Sequence, residues 1–220
     1  MKSTKAFVFD AYGTLFDVNS AAEKCKDKIG LKWEEFANFW RITQLEYTWL
    51  RSLMKRHKDF WKITEDSLEK SMQVFKIDQK MKGELLNLYK ILSTYPEAKN
   101  VLSNLKKKGF KLAILSNGTP DLLNELVKSN NLVGIFDDLF SIEEVKIYKP
   151  DSRVYELPVK KYNIKPDDVT FLSANTWDVS GGGNYGYQAV WVNRNRATFD
   201  YLDFKPKYEV NNLTQLLELI

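Results

Sequence analysis

Asp10 closes a short apolar run, Ala6-Phe7-Val8-Phe9, and is followed by Gly13 and Thr14. Four apolar residues in succession read as a strand buried on both faces. In an open α/β sheet, ligands gather just beyond the carboxyl ends of such strands, so Asp10 is placed where chemistry happens. Two positions on, a phosphatase built on this scheme would need a second acid to protonate a departing alkoxide, and the chain has Tyr12 instead. A phenol, with its pKa of about 10, is a poor proton donor near neutral pH. The pair favours a carboxylate nucleophile whose leaving group needs no proton, such as a halide. Taken alone, Asp10 has a plainer reading as a strand-end aspartate that caps a turn.

The elements needed to position such a residue recur along the chain. Lys111 to Leu115 runs into Ser116-Asn117-Gly118, with a helix opening near Pro120-Asp121, and Val169 to Leu172 runs into Ser173-Ala174-Asn175. Ala189 to Val192 and Tyr208 to Val210 read as further strands, and Asn212 is placed to cap a terminal helix through Ile220. Strands alternating with helices predict an α/β fold with a doubly wound, mostly parallel, Rossmann-like sheet. From about Ser20 to Leu92 the texture changes. Apolar positions fall at helical spacing (Trp33, Phe36, Trp40, Tyr47, Leu50), turn residues are few, and Thr64 and Asp78 read as helix N-caps. The segment is expected to be an inserted helical-bundle cap over the strand ends. Residues 17–96 would form the cap, and 1–16 with 97–220 the catalytic core.

Composition narrows the function classes. At 220 residues the chain can bury a sizeable core. Its single cysteine, Cys25, excludes an intrachain disulfide and points to a reducing, cytoplasmic setting. No apolar stretch approaches the roughly 18 residues of a membrane span, and the N-terminus has no signal-peptide core. The net charge of +4 is mild, and its densest run, Lys106-Lys107-Lys108 before Gly109, fits the last turn of a helix and its left-handed cap. Neither a membrane nor a nucleic acid is expected as a partner. A small anion is.

Together the motifs FDAYGTLFDV from Phe9, WRITQLEYTWLRSLM from Trp40, DFW from Asp59, LAILSNG from Leu112, YKP at Tyr148, SANTWDV from Ser173 and WVNR at Trp191 span almost the whole chain. This ordered set resembles the haloacid dehalogenase superfamily and, within it, the L-2-haloacid dehalogenases. The resemblance implies hydrolysis of 2-haloacids through an aspartyl ester. Asp10 matches the nucleophile and Lys149 the lysine that holds it ionised. Arg41, Asn117 and Phe60 match the cradle for the departing halide. Ser116 would hold the substrate carboxylate, while Tyr12, Leu45, Phe60 and Trp177 would wall the pocket. Asp178 matches the base that orients the hydrolytic water, with Asn175, Thr14, Tyr155 and Ser173 completing the polar network. Family members commonly pair, so a homodimer is implied.

Each assignment has a plainer rival: a surface ion pair with Glu46 or Glu34 for Arg41, an ordinary surface lysine for Lys149, core packing for the aromatics. A hard divalent ion wants several anionic oxygens, and this loop supplies one acid beside a lysine, so no metal or other cofactor is expected. Three features depart from the pattern: Ile42 where a polar residue is common, with a possible effect on the pocket, Ala174 in place of a serine, and the Gly181-Gly182-Gly183 run. The glycines admit two explanations, a close helix-to-sheet approach or local looseness. His57, the only histidine, is expected on the surface of the cap.

Overall fold

The computed structural model describes residues 4–220. Six strands, β1 (Ala6–Phe9), β2 (Lys111–Ser116), β3 (Asp138–Ser141), β4 (Val169–Ser173), β5 (Gln188–Val192) and β6 (Tyr208–Val210), form one sheet in the order β3-β2-β1-β4-β5-β6. Every pairing is parallel. β1 and β4 are buried along their whole length, as the unbroken apolar runs require, so helices must cover both faces. Register puts Phe9 beside Ile114 and Leu172, and the residues just past those positions converge on one edge.

Among the described residues, nine α-helices accompany the sheet: α1 (Ser20–Lys24), α2 (Lys26–Ile29), α3 (Trp33–Leu53), α4 (Phe60–Phe75), α5 (Lys82–Lys90), α6 (Ala98–Lys107), α7 (Pro120–Ser129), α8 (Ser152–Tyr162) and α9 (Thr176–Tyr185). The first five lie between β1 and the return of the chain at Ser93, and α6 then leads into β2. The chain leaves the sheet at Leu15–Asp17 and returns at Ser93–Tyr95. The two crossings are paired: Asp17 N–H donates to the Ser93 carbonyl (2.8 Å) and Tyr95 N–H to that of Leu15 (3.0 Å). α3 buries Phe36, Ala37, Trp40, Gln44 and Thr48 at helical spacing, facing Phe60, Ile63, Ser67 and Leu68 of α4.

Two readings of this region change. Thr64 does not begin a helix: Asp59 caps α4 by accepting from Lys62 N–H at 2.8 Å. Thr64 lies a turn further in, its hydroxyl donating to the Phe60 carbonyl (2.8 Å). Leu50 leaves the buried stripe of α3 and is half exposed. Asp78, in contrast, does cap the turn Gln79–Met81, and Asn212 caps the final turn Leu213–Glu218.

The glycine run resolves in favour of close approach. A Cβ on Gly181 would collide with the Tyr155 hydroxyl and lie 2.7 Å from Pro150 Cβ, one on Gly182 would lie 2.7 Å from the Phe171 ring, and one on Gly183 would enter the Phe204 ring. Gly182 thus lets α9 lie close to β4, while Gly181 lets it lie close to α8 and Gly183 to the loop at Phe204. Gly181→Ala should cost about 1–3 kcal/mol through forced repacking. Urea unfolding measures it, and an unchanged midpoint would show that the helix is free to shift.

Candidate active site

β1 runs into Asp10, β2 and β4 end in Ser116 and Ser173, and the loop before α8 brings Lys149 to the same place. Lys149 is completely buried, and its Nζ donates to Asp10 Oδ1 (3.1 Å) and Asp178 Oδ2 (2.9 Å), with the Phe171 ring 5.1 Å away. One cation therefore serves two buried carboxylates. At ~3 Å and an effective dielectric of ~20, each pairing contributes roughly 5 kcal/mol of attraction, set against the desolvation of all three charges. Burial raises the Asp178 carboxyl to about 6; the Lys149 ammonium opposes that rise and the neighbouring Asp10 charge adds to it. The Tyr155 hydroxyl donates to Asp178 Oδ1 (2.7 Å), and its own pKa is pushed well above the usual value by burial and then by Asp178, so it remains a donor.

Asp10 is 5% exposed and its second oxygen is also held. Oδ2 accepts from the Thr14 hydroxyl (2.9 Å) and from Asn175 Nδ2 (2.9 Å). The Thr14 hydroxyl in turn accepts from Ala174 N–H (2.8 Å), and Ser173 Oγ accepts from Asn175 N–H (3.1 Å). These bonds fix the carboxylate plane against the end of β4. Ala174 contributes its backbone here, so the missing side-chain hydroxyl does not interrupt the Thr14 link.

The helical insertion supplies the opposite wall. Arg41 donates to Gln44 Oε1 (2.9 Å) and to the Tyr12 carbonyl (3.4 Å), which sets the guanidinium against the loop carrying Asp10. Neither Glu34 nor Glu46 pairs with it among the described contacts. Tyr12 lies 5.0 Å from the Phe60 ring and stacks at 5.8 Å on Tyr89, and its hydroxyl is buried without a partner. Asn117 Oδ1 accepts from Lys149 N–H (3.1 Å), which leaves its NH2 end for an anion. Ser116 is buried at the end of β2, its Oγ accepting from Gly118 N–H (3.0 Å). Leu45 is half-buried on α3. Trp177 meets Trp49 edge-on at 5.4 Å, a contact between core and insertion.

Ile42 is 57% exposed on α3, and no contact with the residues around Asp10 is recorded for it. His57 is not a free surface residue: its Nε2 lies 3.2 Å from Glu143 Oε1, across the seam between insertion and core. Two buried groups behind Arg41 escaped notice. Gln44 holds the guanidinium with its oxygen and donates its NH2 to Thr64 Oγ1 (2.7 Å) and Tyr89 Oη (3.0 Å). Its position three residues after Arg41, on the same helix face, was a usable signal. Tyr89 had none, because it arrives from another helix.

Among the described residues, no group of three His, Cys, Asp or Glu side chains is arranged to hold a metal ion. No described helix is long and apolar enough to cross a membrane. Residues 4–186 match the family model described as haloacid dehalogenase-like hydrolase. The chain is 40% identical to (S)-2-haloacid dehalogenase 1 of Pseudomonas sp. strain CBS-3, covering 100% of this chain and 98% of that protein. It is 39% identical to (S)-2-haloacid dehalogenase 4A of Burkholderia cepacia, over 99% and 95%. The structure of the L-2-haloacid dehalogenase from Xanthobacter autotrophicus with chloropropionic acid covalently bound superimposes with a TM-score of 0.90 at 32% identity, covering 98% of each chain.

Proposed function

Because the chain belongs to the haloacid dehalogenase-like hydrolases, we propose that it hydrolyses (S)-2-haloalkanoic acids to (R)-2-hydroxy acids and halide. Asp10 Oδ attacks the α-carbon in line with the carbon–halogen bond; a carbon–oxygen bond forms as the halide leaves with the bonding pair. Water then attacks the carbonyl carbon of the aspartyl ester, and the hydroxy acid departs. Only the first step touches the α-carbon, so configuration inverts once. Arg41, the NH2 of Asn117 and the edge of Phe60 receive the halide; a guanidinium is weakly hydrated and permanently charged, which suits a soft anion in a nonpolar recess. Ser116 and adjacent backbone N–H groups hold the substrate carboxylate, and Tyr12, Leu45 and Trp177 enclose its alkyl chain. Asp178 takes the proton of the water and returns it to the alkoxide oxygen of the departing hydroxy acid, with Asn175, Ser173, Thr14 and Tyr155 keeping both carboxylates in place.

The observation that carries this reading is Lys149 Nζ lodged between the Asp10 and Asp178 carboxylates, opposite a guanidinium and with Tyr12 where an acid would stand. A magnesium-dependent phosphatase fits less well. The relatives that match the whole chain are named (S)-2-haloacid dehalogenases, and no acid follows at position 12. Halide release from the (S) but not the (R) enantiomer of a 2-chloro acid, undiminished by chelator, is the expected result. Phosphate-ester hydrolysis that needs magnesium would overturn it.

The pKa of Asp178 sets a pH dependence. The base must be ionised, so kcat should rise with pH through about 6, and Asp178→Asn should accumulate the ester, visible by mass spectrometry. A profile flat from pH 5 to 8 in the parent would remove Asp178 from that role. A homodimer is also proposed: Ile42, Leu50, Leu53 and Met54 expose an apolar stripe along α3 and its end. A monomer by light scattering at micromolar concentration would exclude it. The one free cysteine, buried Cys25, supports a cytoplasmic location.

A further inference from the structure

Arg194 stands two residues beyond β5, and its guanidinium reaches past the end of β4 to the loop after β1. Its NH2 nitrogen donates to the backbone carbonyl of Thr14 (2.9 Å) and its NH1 to Glu97 Oε1 (2.6 Å), while Cζ lies 3.6 Å from the centre of the Tyr95 ring. The side chain is largely buried, as is that of Glu97. These contacts take in both crossings between sheet and helical insertion: Thr14 borders the outgoing one, and Tyr95 and Glu97 belong to or follow the returning one. Thr14 is also the residue whose hydroxyl donates to Asp10 Oδ2. A rigid fork with three fixed directions suits this role, and a lysine ammonium could not meet Thr14, Glu97 and the ring at once.

We propose that Arg194 is a positioning residue: it holds Thr14 so that the threonine hydroxyl sets the line of the Asp10 carboxylate, and it clamps the two crossings on which the helical insertion is hung. Burial favours the neutral form of Glu97, yet the Arg194 hydrogen bond leads the contacts that hold its pKa below the ordinary value, with a backbone hydrogen bond and the Arg194 charge following. The catalytic half of the inference rests on Asp10 being the nucleophile; the clamp does not.

Arg194→Lys keeps a cation for Glu97 and drops the bond to Thr14. Single-turnover halide release should fall about tenfold with KM within twofold, because a small misalignment of reacting groups costs rate more than binding. Placed in a Thr14→Ala background, the same change should cost nothing further. Glu97→Gln leaves the Thr14 bond in place and should lower the melting temperature while sparing kcat. Amide hydrogen exchange of peptides covering 12–18 and 93–98 should rise together in Arg194→Lys, and this readout stands whether or not the protein releases halide. Losses that multiply in the double variant, or an Arg194→Lys protein as active as its parent, would overturn the positioning role. Exchange that rises in neither segment, or in one alone, would overturn the clamp. A parent protein inactive on every 2-haloacid would instead refute the proposed reaction.

Discussion

Asp10→Asn should reduce halide release by a factor of about 10⁴ or more, because the amide offers no nucleophilic oxygen to the α-carbon. The fold should persist. The carboxylate accepts three hydrogen bonds, from Lys149 on one oxygen and from Thr14 and Asn175 on the other. An asparagine has a single acceptor oxygen, so one of those donor sets must face its NH2 group, at a cost of about 1–3 kcal/mol. A far-ultraviolet spectrum like the parent's, with halide release at background, is the expected outcome. Activity within tenfold of the parent in a sample free of it would mean that another group attacks.

Lys149→Met carries the second large effect, and it reaches stability as well as rate. Removing the ammonium leaves Asp10 and Asp178 buried beside each other without a counter-ion, and breaking a buried pair in this way costs about 3–5 kcal/mol. The sign with pH follows from proton binding. In the variant Asp178, raised by burial, loses the ammonium that opposes the rise, so it holds its proton more tightly when folded than when unfolded, and stability is present below the unfolded carboxyl range and is lost as pH rises. The deficit against the parent should therefore widen between pH 5 and pH 8 in urea titrations. Activity should fall by about 10³ or more, since Asp178 without the ammonium is protonated near neutrality and cannot take the proton of the water. A stability deficit independent of pH would show that the lysine is held for packing alone.

The sequence made the strand-end half of the site legible for a local reason. An apolar run that stops at a polar residue marks both a buried strand and the point where it meets solvent, so Asp10, Ser116, Asn117, Ser173 and Asn175 could be placed before any pairing was known. β3 was not anticipated. Its four residues, Asp138–Ser141, begin with an acid and end with a hydroxyl, and at the edge of the sheet they need no apolar run. Thr64 misled because one residue type serves two ends: a threonine hydroxyl caps a helix or bonds back to the carbonyl four residues earlier, and here it does the second. The purpose of Gly181–Gly183 depended on Tyr155, Phe171 and Phe204, none of them near in sequence. Tyr89 entered the site only when α5 packed beside α3 and α4.

The central claim is that an Asp10 oxygen becomes part of an ester which water opens at the carbonyl carbon. Turnover of a 2-chloro acid in heavy-oxygen water, followed by mass spectrometry of the peptide containing Asp10, tests it most directly. Heavy oxygen should accumulate in that carboxylate over successive turnovers, while the first product formed carries an unlabelled oxygen. Label appearing in the product from the first turnover, with the Asp10 peptide unchanged, would mean that water attacks the α-carbon itself and would contradict it.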